Sequence, residues 1–480
     1  MPRRRKAVTA TAICLGLLIV FTIGAGAAVA HLLPARQALW RPPQVATRRL
    51  APDSTVLGPA TEAAAGQAVT SAGVSAALSA TLASPALGSH VGAEVANLST
   101  GQVLLDRLGS SGFAPASTAK LATAVAALQV LGPTARITTR VVAGSSASSI
   151  VLVGGGDPTL AAGSFPAAAY PQPATLESLA AATARALRAK GVQSVRVGYD
   201  TSLYTGPTMA PGWTQSYVTT GNVTPIESLE VDQGRLTASG APEDADDPGN
   251  SRPRSFTPAA QAAGAFTSFL AGDGISVSGP VLQQAASGSA TLASVDSPPM
   301  YQIVGQMLIE SNNVIAENLA RQVAIATGHP ASFAGGAAAV TSVLAGLGIR
   351  GGISMVDGSG LSPQDRISPA ALVQLIRLAG APGKPGLRPV ITSLPVAGFS
   401  GTLAPGGSVF GDIGGPARGV VRAKTGNLDT VVSLAGIAYA SNGQLLAFAF
   451  MADRLPASGL VPAATDLTRL ASTLAACGCR

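Results

Sequence analysis

Pro115-Ala-Ser-Thr-Ala-Lys-Leu121 is the stretch on which the reading of this chain turns. The pattern predicts a helix over residues 115–131, with Leu121, Val125 and Leu128 on one face and Gly132-Pro133 ending it. Ser117 stands near its start and Lys120 follows three residues later. Positions i and i+3 share a helix face, so the lysine amine can reach the serine hydroxyl. A neutral amine there can take the hydroxyl proton and turn Ser117 into a nucleophile. The helix start also offers free backbone N–H groups beside a developing oxyanion. Alone, Ser-x-x-Lys equally describes an ordinary helix start with a solvated lysine.

Outward from this helix, residues 90–107 alternate apolar and polar around Ser99-Thr100-Gly101, the signature of a β-hairpin. Near the other end, residues 419–424, 431–440 and 444–451 read as strands, the last two joined through Asn442-Gly443. A helix over 463–475 closes the chain. This arrangement predicts one antiparallel sheet built from both ends of the sequence and flanked by helices, an α/β (α+β) architecture. Strands within 137–153 and 192–197, with helices over 176–190 and 258–272, predict an inserted α/β domain at 136–290. The flanking segments 71–135 and 291–480 then form one discontinuous domain. Residues 300–327 read as a long helical region with a polar break near Ser311.

The chain of 480 residues carries only five lysines among 31 basic residues: Lys6, Lys120, Lys190, Lys384 and Lys424. Arginine does not deprotonate in a protein, whereas lysine does when buried or crowded by another cation. Lysine in so arginine-biased a chain therefore marks places where its chemistry is required. Lys424-Thr425-Gly426 falls at the end of a predicted strand. Its two polar side chains suit a carboxylate, and its glycine admits a ligand close to the backbone. Ser311-Asn312-Asn313 occupies the polar break, where Ser311 can relay a proton and Asn313 can hold a substrate amide. Read singly, these are a strand ending in a turn and a helix cap. Ser-x-x-Lys, Ser-x-Asn and Lys-Thr-Gly in that order are a recognised catalytic set for acyl transfer through serine.

Eight of the basic residues lie within residues 1–50, where there is no acid; the remainder of the chain is near neutral. That excludes a basic face for nucleic acid. Residues 1–6 form a basic segment, expected on the cytoplasmic side, and 7–32 an apolar run read as a transmembrane anchor or a signal peptide. Residues 33–70 read as an Ala/Pro-rich linker. The body is thus expected outside the cytoplasmic membrane, in the cell envelope, anchored to its outer face or secreted. Cys14, Cys477 and Cys479 have no metal-site spacing, and the tail pair reads as thiols without catalytic role. No Gly-x-Ser-x-Gly elbow accompanies the three histidines, which disfavours a Ser–His–Asp hydrolase. The chemistry calls for no metal and no cofactor.

At these residues the chain resembles the class C penicillin-binding proteins, the penicillin-binding protein 4 type of D-alanyl-D-alanine carboxypeptidase/endopeptidase. The resemblance spans about 75–475. It is carried by residues 115–121, Gly154-Gly-Gly-Asp-Pro-Thr-Leu160, Ala210-Pro-Gly-Trp213, Ser311-Asn-Asn-Val-Ile-Ala-Glu317, Asp357-Gly-Ser-Gly-Leu-Ser362, Leu394-Pro-Val-Ala-Gly398 and Lys424-Thr-Gly426. It implies a penicillin-binding/β-lactamase-like fold, Ser117 as acylated nucleophile and Lys120 as base. It implies Ser311 and Asn313 as the second motif, and Lys424, Thr425 and Gly426 as the third. The implied partners are peptidoglycan stem peptides ending in D-Ala-D-Ala, with β-lactams as covalent inhibitors. Two departures stand out. Asn427 occupies a position where the family often has threonine; it serves if only its backbone N–H is used and weakens carboxylate binding if a hydroxyl is needed. The stretch from Trp213 to Met300 is also short for the family. Two other readings share the motifs: a β-lactamase-like hydrolase, which would turn penicillin over quickly, and a non-catalytic, membrane-tethered peptidoglycan-binding protein, whose binding would not depend on Ser117.

Overall fold

The computed structural model describes residues 68–163, 165, 170–236, 252–286, 290–349, 351–411, 415–457 and 459–479. By contacts the chain divides into Met1–Glu62 and Ala63–Arg480, and every described residue lies in the second unit. The basic segment, the 7–32 run and nearly all of the linker lie outside the described residues. Among those described, no helix is long and apolar enough to cross a membrane.

The longer strands are β1 (Val91–Asn97), β2 (Val103–Arg107), β3 (Thr138–Ala143), β4 (Ser149–Val153), β5 (Ser194–Asp200), β6 (Thr291–Asp296), β7 (Val421–Leu428), β8 (Val431–Tyr439) and β9 (Leu445–Ala452). The longer helices are α1 (Ser71–Leu82), α2 (Lys120–Leu131), α3 (Leu176–Ala189), α4 (Pro258–Gly272), α5 (Met300–Ile309), α6 (Asn313–Ala326), α7 (Phe333–Gly346), α8 (Pro369–Gly380) and α9 (Leu460–Ala476). A five-stranded antiparallel sheet runs β7-β8-β9-β1-β2. The sheet is assembled from both ends of the sequence, with β1 pairing along β9 from Val91↔Ala452 to Asn97↔Leu446.

This sheet is covered on both faces, which is why β8 and β9 are apolar nearly throughout and not alternating. Ala435, Ile437, Ala447, Ala449 and Met451 face a helical layer that includes α2, α5, α6 and α8. Their neighbours Leu434, Phe448 and Phe450 face α1 and α9 instead. The period of two thus survives inside a sequence that reads as continuous apolar runs. Within α2, every residue from Lys120 to Leu128 is buried; small side chains let it pass through the centre of the packing. A mixed second sheet contains β5-β4-β3-β6, with β4 parallel to β5. It packs its own core on α3 and α4.

Several boundaries differ from the sequence reading. The 115–131 helix is a 3-10 turn, Ala116–Ala119, followed by α2, because Ala116 has a left-handed φ of +46°. The strand expected at 419–424 runs on to Leu428, so Lys424-Thr425-Gly426 lies within it and not at its end. The second sheet includes β6, beyond residue 290 where the insert was drawn to end. Cys477 and Cys479 form a disulfide, and Cys479 O accepts from Thr70 N, tying both ends of the described body together. His90 stands just before β1 and contacts Asp453; His329 stands in the loop after α6.

Phe450 is wholly buried between the sheet and α9. Phe450→Ala should cost about 3–5 kcal/mol of stability, read as a lowered denaturant midpoint at unchanged slope.

Candidate active site

Ser117 is carried by a strap that is pinned residue by residue. Phe113 pairs with Ile367 in both directions, at 3.0 and 2.8 Å. Ala114 N donates to Asp453 Oδ2 at 3.0 Å. Pro115 O accepts from Ser433 Oγ on β8 and from Thr118 Oγ1. Ala116 then takes its left-handed turn, a conformation that a non-glycine residue keeps only when its surroundings hold it. Gly360 is part of that hold. With φ of +81°, it sits so close that a Cβ would lie 1.9 Å from Ala116 O.

Lys120, the first residue of α2, is completely buried. Its Nζ donates to Ser117 Oγ at 2.8 Å, Asn313 Oδ1 at 2.7 Å and Ser359 O at 2.9 Å. Burial pushes its pKa down to about 7, against the opposing pull of Asp357, Glu317 and Asp365. Desolvation is what lowers it. Lys424 is equally buried and is pushed well below its ordinary value, by burial first and by Lys120 second. Its Nζ donates to Ser311 Oγ and to Thr425 O, both at 2.8 Å.

The break between α5 and α6 delivers the second group. Ser311 adopts a φ of +59°, and Asn312 caps α6 through Ile315 N. Ser311 is hydrogen-bonded to Lys424, and Asn313 to Lys120. Asn313 Nδ2 donates to Asn222 O at 2.9 Å, so its amide orients the lysine and joins the insert to the site. The substrate amide assigned to it from sequence meets an already engaged side chain.

Strand β7 is the sheet's edge. Ala423 N donates outward to Pro395 O, so strand alternation turns the N–H and C=O of Thr425 and Asn427 to that same outer side. The Asn427 side chain is exposed. Gly426 lies against the strap: a Cβ there would stand 2.9 Å from Ser117 N. Thr425 Oγ1 donates to Thr402 Oγ1 at 2.7 Å, putting two hydroxyls beside Lys424. Ser117, Lys120, Ser311, Asn313, Lys424, Thr425 and Gly426 are therefore linked, from three distant stretches of chain. Among the described residues no cluster of His, Cys, Asp and Glu could hold a metal. A 970 Å³ groove lined by Phe333, Thr341 and Met355 holds none of these residues.

Sequence reasoning missed Thr402, Asn222 and the Ser359 carbonyl. The last was within sight, since Asp357-Gly-Ser-Gly reads as a turn; backbone acceptors carry no residue-type signal. A Ser/Lys pair whose buried lysine is lowered to about 7, beside an open strand edge and a second lysine, is an arrangement for serine acyl transfer. The model of the D-Ala-D-Ala carboxypeptidase 3 (S13) family matches residues 74–251 and 230–467. The chain belongs to that family. It is a serine-type hydrolase of the D-Ala-D-Ala carboxypeptidase class. A carboxypeptidase of Mycobacterium tuberculosis is 39% identical over 417 residues, 85% of each chain. Carboxypeptidase DacB of Mycolicibacterium smegmatis is 37% identical, again with 85% of each covered. Among solved structures, penicillin binding protein 4 of Haemophilus influenzae shares the fold, with a TM-score of 0.66 at 23% identity over 84% of this chain and 98% of that one.

Gly360→Ala should displace Ala116 and with it Ser117. Acylation by a fluorescent penicillin is expected to fall at least tenfold, with a lowered melting temperature.

Proposed function

We propose that this chain releases the terminal D-alanine of peptidoglycan stem peptides through an acyl-enzyme on Ser117. The observation that carries the proposal is the set of three oxygens around Lys120 Nζ. A neutral amine has two N–H bonds and one lone pair. Asn313 Oδ1 and Ser359 O can only accept, and Asn313 is fixed in that sense by its bond to Asn222 O. Both N–H bonds go to them, and the lone pair is left facing the Ser117 hydroxyl, which alone of the three can donate.

Lys120 takes the Ser117 proton as Oγ bonds to the carbonyl carbon of the penultimate D-alanine. The N–H groups of Ser117 and Asn427 stabilise the oxyanion, a contribution of about 3–4 kcal/mol per donor in comparable sites. Asparagine suffices at 427 because its backbone is what faces the edge. The C–N bond then breaks, and the proton reaches the leaving amine by way of Ser311. Lys424, Thr425 and Thr402 receive the terminal carboxylate, whose charge favours the ammonium form that burial opposes. Water hydrolyses the ester, with Lys120 again as base. An extended peptide lying along β7 as an added strand would bring its scissile carbonyl to Ser117.

β-Lactams are proposed to acylate the same serine; the Haemophilus influenzae protein of this fold has been solved with one bound. Cross-linked stem peptides are proposed as further substrates. The basic start and the apolar run at 7–32 support an exported, membrane-anchored or secreted protein of the cell envelope.

Ser117→Ala should abolish both covalent labelling by fluorescent penicillin and release of D-alanine from a muropeptide pentapeptide, followed by mass spectrometry. Retained labelling would remove the assignment. Because Lys120 must be neutral, wild-type acylation should decline as pH falls below about 7, approaching tenfold per pH unit. Lys120→Arg should acylate at least a hundredfold more slowly at every pH, since guanidinium keeps its proton.

A further inference from the structure

Three consecutive residues, Asp232, Gln233 and Gly234, have left-handed φ angles of +50°, +56° and +69°. Glycine takes that conformation freely and aspartate with some ease, but glutamine keeps it only when its surroundings hold it there. Several contacts supply that hold. Asp232 N donates to Leu160 O at 2.9 Å, and Asp232 Oδ1 accepts from Ala162 N at 3.1 Å. Gln233 O accepts from Arg254 Nη1 at 2.9 Å, while Nε of the same guanidinium donates to Gly221 O at 3.0 Å. Gly234 is pressed against Thr224, where a Cβ would stand 2.4 Å from Oγ1. The Gly154-Gly-Gly-Asp-Pro-Thr-Leu160 stretch belongs to this support: Gly156 N donates to Ser228 O at 2.7 Å, and Leu160 receives Asp232.

What this turn holds out is one side-chain amide. Gln233 is buried, and its Oε1 accepts from Asn312 Nδ2 at 2.7 Å. Asn312 is the middle residue of Ser311-Asn312-Asn313 and is itself buried. Its Oδ1 caps α6 through Ile315 N at 3.1 Å, and its Nδ2 also reaches Glu310 Oε2, at the longer distance of 3.2 Å. The residues on either side of it serve the two buried lysines: Ser311 Oγ accepts from Lys424 Nζ, and Asn313 Oδ1 accepts from Lys120 Nζ. We propose that Gln233 is a positioning residue for acyl transfer: through Asn312 it fixes the second motif, so that Ser311 and Asn313 meet Lys424 and Lys120 together. Two left-handed segments, Asp232–Gly234 and Ser311, are thus joined across a single amide–amide hydrogen bond. A side chain that only filled space could be an apolar one on ordinary backbone; strain kept in order to aim one acceptor at the motif is what singles out Gln233. A shift of Asn312 moves both of its neighbours, and reactions of this kind are sensitive to misplacements of about 1 Å.

Because Gln233 is given a part in acylation, its role rests on the peptidase reading. The full chain as wild type, Gln233→Met, Asn312→Ser and the double variant is mixed with fluorescent penicillin. The acylation rate constant at saturating penicillin is then separated from the fraction of protein finally labelled. Methionine fills the space of glutamine without its acceptor, and serine keeps the cap on α6 but is too short to reach Gln233. Each single variant should be acylated about tenfold more slowly, or worse, with its full fraction labelled. The double variant should be no slower than the slower single one, since both changes break the same contact. If Gln233→Met folds poorly, Gln233→Gly, which relieves the left-handed backbone, takes its place and is read in the same way. A wild-type rate constant with only a smaller labelled fraction would make Gln233 a stability residue and overturn the proposal, as would losses that multiply in the double variant. Wild type that takes no label would instead sink the peptidase reading, and the role of Gln233 with it.

Discussion

An amine has been taken out of water and given three oxygen atoms but no counter-ion, and the rest of the site follows from that constraint. A lysine at the surface keeps its proton at neutral pH and is no base. Lys120 loses that preference because it is wholly buried, and it avoids the usual remedy, since no carboxylate lies within ion-pair distance among the described residues. The acids nearby are spent on backbone N–H groups instead. Asp357 and Glu317 organise the turn that faces the lysine, so they shape its surroundings with hydrogen bonds. Three separate stretches of chain must be registered to a few tenths of an ångström for this to work.

That registration comes from the sheet. Strand β8 holds the strap through Ser433, β9 is continued by Asp453, which holds it through Ala114, and β7 brings Lys424 and Gly426 against its far side. The left-handed residues Ala116 and Ser311 are the local cost of aiming two hydroxyls into one cleft. Each is flanked by contacts that leave it no alternative. Glycine at 360 is dictated less by its own turn than by the carbonyl of residue 116 pressed against it.

Much of this was legible in the residues. The Ser117/Lys120 spacing, the polar break at Ser311 and the Asn442-Gly443 hairpin announce themselves through local rules, and the S13 family match agrees with the family resemblance read from the sequence. What stayed hidden was hidden for physical reasons. Helix α7 has no signature in the sequence because its segment, Phe-Ala-Gly-Gly-Ala-Ala-Ala-Val, is apolar all round and weakened by two interior glycines, so it shows no periodicity. The strand carrying Lys424 reads as ending early because Thr-Gly-Asn looks like a turn, although pairing with β8 continues to Leu428. Thr402 lies in a short 3-10 turn, Gly401–Leu403, and its partner is twenty-three residues away, a relation that only tertiary packing creates.

Polypeptide is made from one end, and this sheet is not. The hydroxyl and amine of residues 117 and 120 exist long before β7, β8 and β9 do, yet β1 pairs along its whole length with β9. Until those last strands are added, the early hairpin has no partner on that side and the strap has neither Ser433 nor Asp453 to grip. A growing chain therefore holds its nucleophile unaimed through most of its manufacture, and competence arrives all at once, when the closing strands dock.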